Sequence, residues 1–247
     1  MRYFIQLAYN GKNYHGWQKQ INAHSVQTEI ESKLEILLKE KIELVGCGRT
    51  DTGVHAKQFY AHFDSEINAD EAKICRHLNA MLPKDIVIRQ IFPVQPEHHA
   101  RFSATYREYE YWISTEPTPF LNELSSLFIK PPDVDAMNNA ALLLLIQTDF
   151  ECFSKVHTDV NTFNCKVTKA VWENRENNML VFTIRADRFL RNMVRAIVGT
   201  LLDIGYHKTD EEKFEKILSG KKRSEAGFSV PAHGLFLTRV GYDFITS

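Results

Sequence analysis

The chain has 247 residues, 44% of them hydrophobic and 25% charged, with a formal net charge of -1. This composition excludes gross disorder, and the length suffices for one large core or two smaller ones. The near-neutral balance excludes a uniformly basic surface. A local basic face offset by acidic surface elsewhere is not excluded, because phosphate contacts act locally.

Cys47, Cys75, Cys152 and Cys165 form no CxxC pair and no cluster with zinc-ligand spacing, which reads as reduced thiols of a cytosolic protein. The opening MRYFIQLAYNGKNYHGW has no apolar core of signal-peptide type, and LLLLI at 142–146 is far too short to cross a bilayer. The expected location is the cytoplasm.

In chain order, residues 2–9 alternate as a strand does. A loop comes next, through Gly11 and Gly16. Ser25 stands before Val26, Ile30, Leu34, Leu37 and Leu38, an N-cap ahead of one apolar helical face. The strand-like IELVGCG runs into RTDTGVHA, and AKQFYAHF is a further strand. Asn68 and Glu71 have capping-box spacing and open a helix that stops before Pro83. Strands over 86–92 and 106–115 come next.

Pro117, Pro119, Pro131 and Pro132 punctuate the segment after these strands, and Asp133 caps a helix carrying Ala140 to Ile146. Strands over 165–174 and 178–186 lead to a helix from about Phe189. A short helix opened by Thr209 and Glu212 and ended by Gly220 precedes a last strand over 234–244. Helices and strands mixed without strict alternation predict an α+β fold. Two mixed halves are expected, 1–105 and 106–247, each with an antiparallel-rich sheet and with a cleft between them.

Chemistry concentrates in Gly46-Cys47-Gly48-Arg49-Thr50-Asp51-Thr52-Gly53-Val54-His55-Ala56. Gly48 and Gly53 permit a tight turn or close approach of a ligand. Arg49 can pair with the Asp51 carboxylate or with a phosphate, and a neighbouring cation keeps a carboxylate ionised, as a nucleophile requires. From spacing alone an ordinary turn, with Asp51 accepting backbone hydrogen bonds, is the better reading.

GRTDTGVHA resembles the signature of the TruA family of tRNA pseudouridine synthases. The flanks agree in order: Tyr9-Asn10-Gly11 through Tyr14-His15-Gly16-Trp17-Gln18, Ser25-Val26-Gln27, Leu78-Asn79-Ala80-Met81-Leu82-Pro83, His99-Ala100-Arg101-Phe102-Ser103-Ala104-Thr105, Asp149-Phe150 with Phe153, Phe189 through Met193-Val194-Arg195, and Gly234-Leu235-Phe236-Leu237. The resemblance implies that Asp51 is the essential aspartate and that Tyr109 contacts the target uridine. It likens Arg49 and Arg195 to arginines of two family motifs at the active site. It implies action at positions 38, 39 and 40 of the tRNA anticodon arm, by a homodimer, with no metal or cofactor.

Three departures stand out. Thr52 follows Asp51 where alanine is frequent. Asn10 replaces an aspartate between Tyr9 and Gly11. Asn164-Cys165-Lys166 lacks an arginine often found there, leaving Lys166 for any phosphate contact.

The implied reaction breaks a C–N glycosidic bond, turns the uracil and rejoins it through C5. No net redox change occurs, so a carboxylate able to support a transient covalent species suffices. Attack at the ribose C1′ and addition at ring C6 both satisfy the sequence. Tyr109 and Tyr111 share one strand face. Tyr109 suits stacking on the detached base, and Tyr111 reads as a structural aromatic. The uridine must also be extruded to reach Asp51.

Arg188, Arg191 and Arg195 recur at i, i+3 and i+7 along the expected helix, opposite Leu190, Met193, Val194, Ile197, Val198 and Leu201. With no acid between them, Arg188 and Arg191 are candidate RNA contacts. Lys221, Lys222 and Arg223 fit a solvated helix end as well as an RNA contact. His55, His98 and His99 read as structural. Two other classes compete: an RNA-binding module without chemistry, which does not need Asp51, and a hydrolase using Asp51 with His55, which lacks a water-activating partner.

Overall fold

The computed structural model describes residues 1–66, 70–155 and 161–245. In chain order its elements are β1 (Arg2–Tyr9), α1 (Val26–Leu38), β2 (Val45–Gly46), β3 (His55–Asp64), α2 (Glu71–Met81), β4 (Ile86–Val94), β5 (Ala104–Ser114), β6 (Ser126–Leu127), α3 (Val134–Ala141), α4 (Leu143–Ile146), β7 (Val167–Arg175), β8 (Met179–Ala186), α5 (Met193–Gly205), α6 (Glu211–Gly220) and β9 (Leu235–Tyr242). Two compact units result, Met1–Thr105 with Phe236–Ser247, and Tyr106–Leu235. Each mixes helices with a largely antiparallel set of strands, an α+β architecture. The last strand lies with the first unit, not with the half it follows in sequence, because it pairs in parallel with β3 through His55–Phe236 and Ala56–Leu237.

In the first unit β1 runs antiparallel to both β3 and β4. One face of β1, with Tyr3, Ile5, Leu7 and Tyr9, is buried, and Phe4 is buried on the other. Ser25 caps α1 by accepting the Thr28 amide at 3.2 Å. Beside the apolar face of α1 sits a buried acid, Glu31. Its Oε1 accepts from the Leu44 amide at 3.0 Å and from Gln27 at 2.9 Å, and its Oε2 meets Lys19 Nζ at 3.1 Å. A buried carboxylate is tolerated only when paired in this way, and here it ties α1 to the chain entering β2.

Asp70 caps α2 by accepting the Lys73 amide; the expected cap, Asn68, lies outside the described residues. Near the end of α2, Asn79 donates to Ile88 O and accepts from Ile88 N, both at 2.8 Å, clamping the helix to β4.

In the second unit β8 lies between β5 and β7, antiparallel to both, and β6 pairs in parallel with β5. Asp133 caps α3 by accepting the Ala136 amide at 3.0 Å. The helix expected to continue through Ile146 is interrupted at Leu142, giving α3 and the one-turn α4. Asn138 repeats the clamp of Asn79: it donates to Trp172 O at 3.0 Å and accepts from Trp172 N at 2.8 Å.

Helix α5 begins at Met193, not near Phe189. Asn192 has φ 68°, and a left-handed residue cannot continue a right-handed helix. Arg188 and Arg191 therefore precede the helix, and the expected face of three arginines does not form. Asp210, not Thr209, caps α6 by accepting the Lys213 amide at 2.8 Å. Gly220 is its last residue, and Lys221 takes the left-handed position at φ 58°. Among the described residues, no helix is long and apolar enough to cross a membrane. Burial pushes the thiols of Cys152 and Cys165 up to about 12.

Buried His62 on β3 accepts the Ala100 amide at Nδ1, 3.1 Å away. Burial, then His99 and Arg2, push its pKa down from 6.5 to about 4, against a smaller opposing pull from Asp64. Protonation would set an N–H against the Ala100 N–H. The folded form resists a proton that the unfolded chain accepts, so stability is full above about pH 6.5 and is lost as pH falls toward 4. In urea melts, wild type should lose about 2 kcal/mol more than His62→Gln between about pH 7 and about pH 5. Equal losses would refute this role.

Candidate active site

The loop before β3 is held by the chain that comes after β1. Trp17, buried, stacks on Phe59 with centroids 4.1 Å apart. Gly46 has no Cβ to collide with its indole, where a methyl would lie 2.5 Å from Nε1. With Trp17 fixed, its amide donates to Thr50 O at 3.3 Å. Gly16, at φ 85°, brings its Cα so close that an added Cβ would stand 2.2 Å from the same oxygen. Buried Thr50 also shares a hydrogen bond with Tyr9 through its Oγ1, at 2.9 Å.

Thr50 thus points inward, while Arg49 on one side is exposed and Asp51 on the other is half-buried. A turn closes behind Asp51: its carbonyl accepts the Val54 amide at 3.1 Å, and Gly53 takes φ 79°. Gly11 packs on Val54, where a Cβ would meet the carbonyl at 1.9 Å. The Gly11 amide donates to His55 Nδ1 at 3.0 Å, and His55, buried, stacks on Phe236 at 4.7 Å. His55 is spent on holding the loop, which removes the base that a hydrolase needs. Asn10 Oδ1 accepts the Lys12 amide at 3.0 Å, work that an amide does as well as a carboxylate. Thr52 is exposed, so alanine or threonine changes nothing packed there.

The remaining candidates lie in the second unit. Tyr111 is fully buried, its hydroxyl bonded to Ser126 Oγ at 2.6 Å and Pro231 O at 2.9 Å; burial pushes the phenol pKa up. Two residues earlier, Tyr109 is half-buried and meets Phe189 edge-on, centroids 5.0 Å apart. Arg195, on the first turns of α5, donates from Nε to Val230 O at 2.7 Å, and its own carbonyl accepts the Val230 amide at 3.2 Å. That close passage of 227–231 along α5 requires Gly199, where a Cβ would lie 1.8 Å from Phe228 O.

Arg188 Nη1 donates to Thr162 O at 3.3 Å, and Arg191 is exposed. Lys166 is exposed too, while its amide donates to Asp187. The basic cluster after α6 is occupied within the fold: Lys221 pairs with Asp149, Lys222 meets Glu225 at 3.2 Å, and Arg223 donates to Gly227 O and Ser229 Oγ.

Arg49 and Asp51 therefore place a cation and a carboxylate, both accessible, on a rigid loop, an arrangement suited to electrostatic or nucleophilic work beside a phosphate. Among the described residues, no group of three or more His, Cys, Asp or Glu is placed to hold a metal ion. The sequence marks Tyr9, Gly11, Gly16 and Trp17 as a loop and as a flank of the resemblance, but not as the cradle of the Asp51 loop. The spacing of the two glycines ahead of an aromatic was the available sign.

Residues 6–103 and 140–243 match the profile of a family described as tRNA pseudouridine synthase. The tRNA pseudouridine synthase A of Parabacteroides distasonis is 50% identical over 242 residues, 98% of this chain and 96% of that one. Its namesake in Bacteroides fragilis is 48% identical over 242 residues, with the same coverage of 98% and 96%. That of Acetivibrio thermocellus is 38% identical over 238 residues, 96% of this chain and 97% of the other.

Gly16→Ala should cost about 1–3 kcal/mol of stability, from left-handed strain and collision with Thr50 O. At Gly48 an added Cβ meets nothing within 4 Å, so Gly48→Ala should melt within about 0.5 kcal/mol of wild type. Chemical denaturation of both variants checks the pair; equal losses would show that Gly16 does not support the loop.

Proposed function

Because the chain belongs to the tRNA pseudouridine synthase family, we propose that it isomerises uridine to pseudouridine in tRNA, at positions 38, 39 and 40 of the anticodon stem-loop, with Asp51 as the catalytic carboxylate. The observation that carries this is the pinned Thr50, which presents Arg49 and Asp51 from a loop with no slack.

In the reaction the C1′–N1 bond breaks and a C1′–C5 bond forms. C5 gives up its proton and N1 gains one, so atoms and electrons balance with no external reductant or oxidant. The Asp51 carboxylate supports the transient species, at C1′ or at C6. Arg49 neutralises a backbone phosphate. Tyr109 offers a ring face to the uracil, and Arg195 contacts the nucleotide from its anchored position. Arg188 and Arg191 contact RNA phosphates individually, not as one helical face. The target nucleotide is extruded to reach the carboxylate, as in other base-modifying enzymes.

The working compartment is the cytoplasm, and the active form is a homodimer. A single chain of net charge -1 offers little field for a whole tRNA arm, so two copies together build the basic surface. Sedimentation equilibrium should give twice 28.6 kDa; a fully active monomer would refute the dimer.

Unmodified tRNA transcripts incubated with the chain should acquire pseudouridine in the anticodon arm. Asp51→Ala should retain RNA binding and lose at least about 10³-fold in turnover. Undiminished turnover in Asp51→Ala would overturn the assignment. RNA binding without product from wild type would favour a non-catalytic RNA-binding module.

A further inference from the structure

Between β4 and β5 the chain makes a short loop whose backbone is held almost amide by amide. The Ala100 amide donates to His62 Nδ1 at 3.1 Å. Those of Arg101 and Phe102 donate to His99 Nδ1 at 3.0 and 3.3 Å. His99 N donates to Ser103 Oγ at 2.9 Å, and Ser103 N returns to His99 O at 3.0 Å. Arg2 Nη1 donates to Pro96 O at 2.6 Å and His98 O at 3.2 Å. Ala100 is fully buried, yet Phe102, two residues on, is 76% exposed. Its ring leans on His99 with centroids 4.4 Å apart, and the guanidinium carbon of exposed Arg101 stands 5.5 Å from the ring centroid.

One exposed aromatic means nothing by itself. This one is held outward by a latched backbone, with a cation beside it. An aromatic face next to a guanidinium matches a nucleotide, in which a π-face lies beside an anionic phosphate.

We propose that Phe102 and Arg101 form a second RNA-contact site, distinct from the Asp51 loop, in which an unpaired base of the tRNA stacks on Phe102 and Arg101 meets its phosphate. The inference rests on the proposed action on tRNA. The rigidity of the loop is what makes the contact effective, since little conformational freedom is left to lose on binding.

The test compares wild type, Phe102→Ala, Phe102→Trp and Arg101→Ala on unmodified tRNA transcript, measuring affinity, KM, kcat, melting temperature and sedimentation. Phe102→Ala should raise Kd and KM about 5- to 150-fold, the range for loss of one base–aromatic stack, with kcat within about twofold. Phe102→Trp should restore KM, and its added tryptophan emission should be quenched by tRNA. Arg101→Ala should weaken binding and flatten its salt dependence. Unchanged KM in Phe102→Ala beside an active wild type overturns the proposal, as does a change in sedimentation alone, which would make Phe102 a protein contact. If Phe102→Ala melts early, Phe102→Trp decides: no quenching overturns the site. A wild type that makes no pseudouridine defeats the proposed activity instead, while the quenching signal still reports on this site.

Discussion

The first unit is organised around one buried residue, Thr50. Its carbonyl takes the Trp17 amide and the close approach of Gly16, and its hydroxyl bonds Tyr9. Each partner is set by an earlier constraint: Trp17 by its stack on Phe59, Tyr9 by its place in β1, Gly16 by a backbone angle that costs a side-chain-bearing residue free energy. The consequence is geometric. Thr50 is buried, while Arg49 before it is exposed and Asp51 after it is half-buried. Arg49 and Asp51 are thus carried on a loop held largely through Thr50 between them, with the Asp51 carbonyl adding one bond from the Val54 amide.

Imidazoles supply much of the remaining rigidity. His55, His62 and His99 each use Nδ1 to accept backbone amides, from Gly11, from Ala100, and from Arg101 and Phe102 respectively. A neutral ring is an acceptor at one nitrogen only, so each bond settles the tautomer. A histidine beside the Asp51 loop invites an acid–base reading, yet these rings act as rigid braces, and burial lowers the pKa of His62 and His99.

Much of this was legible in the chain. Ser25 and Asp133 announce their helices because an N-cap is a local event, settled by a side chain and an amide three residues away. The start of α5 was not legible, because apolar spacing runs continuously from Leu190 and nothing local marks Asn192 as left-handed. The partners of Lys221, Lys222 and Arg223 were hidden for a different reason. A basic cluster looks the same whether it faces solvent, RNA or a folded acid such as Asp149, 72 residues away. Asp51 itself stood out through motif resemblance. The resemblance took in Tyr9, Gly11, Gly16 and Trp17 too, but not their role as the cradle of the Asp51 loop, since Gly11 and Gly16 act through backbone contacts with Val54 and Thr50, distant in sequence.

The paired clamps of Asn79 on Ile88 and Asn138 on Trp172 reach beyond helix docking. In each unit the clamped strand, β4 or β7, pairs on one side with the strands of its own unit. The carboxamide supplies on the other side the donor and acceptor that a further strand would offer. An incoming extended chain therefore finds one rung of the ladder already filled, and Pro93 withholds another donor from β4. The asparagines thereby close these two rungs to adventitious edge-to-edge strand pairing.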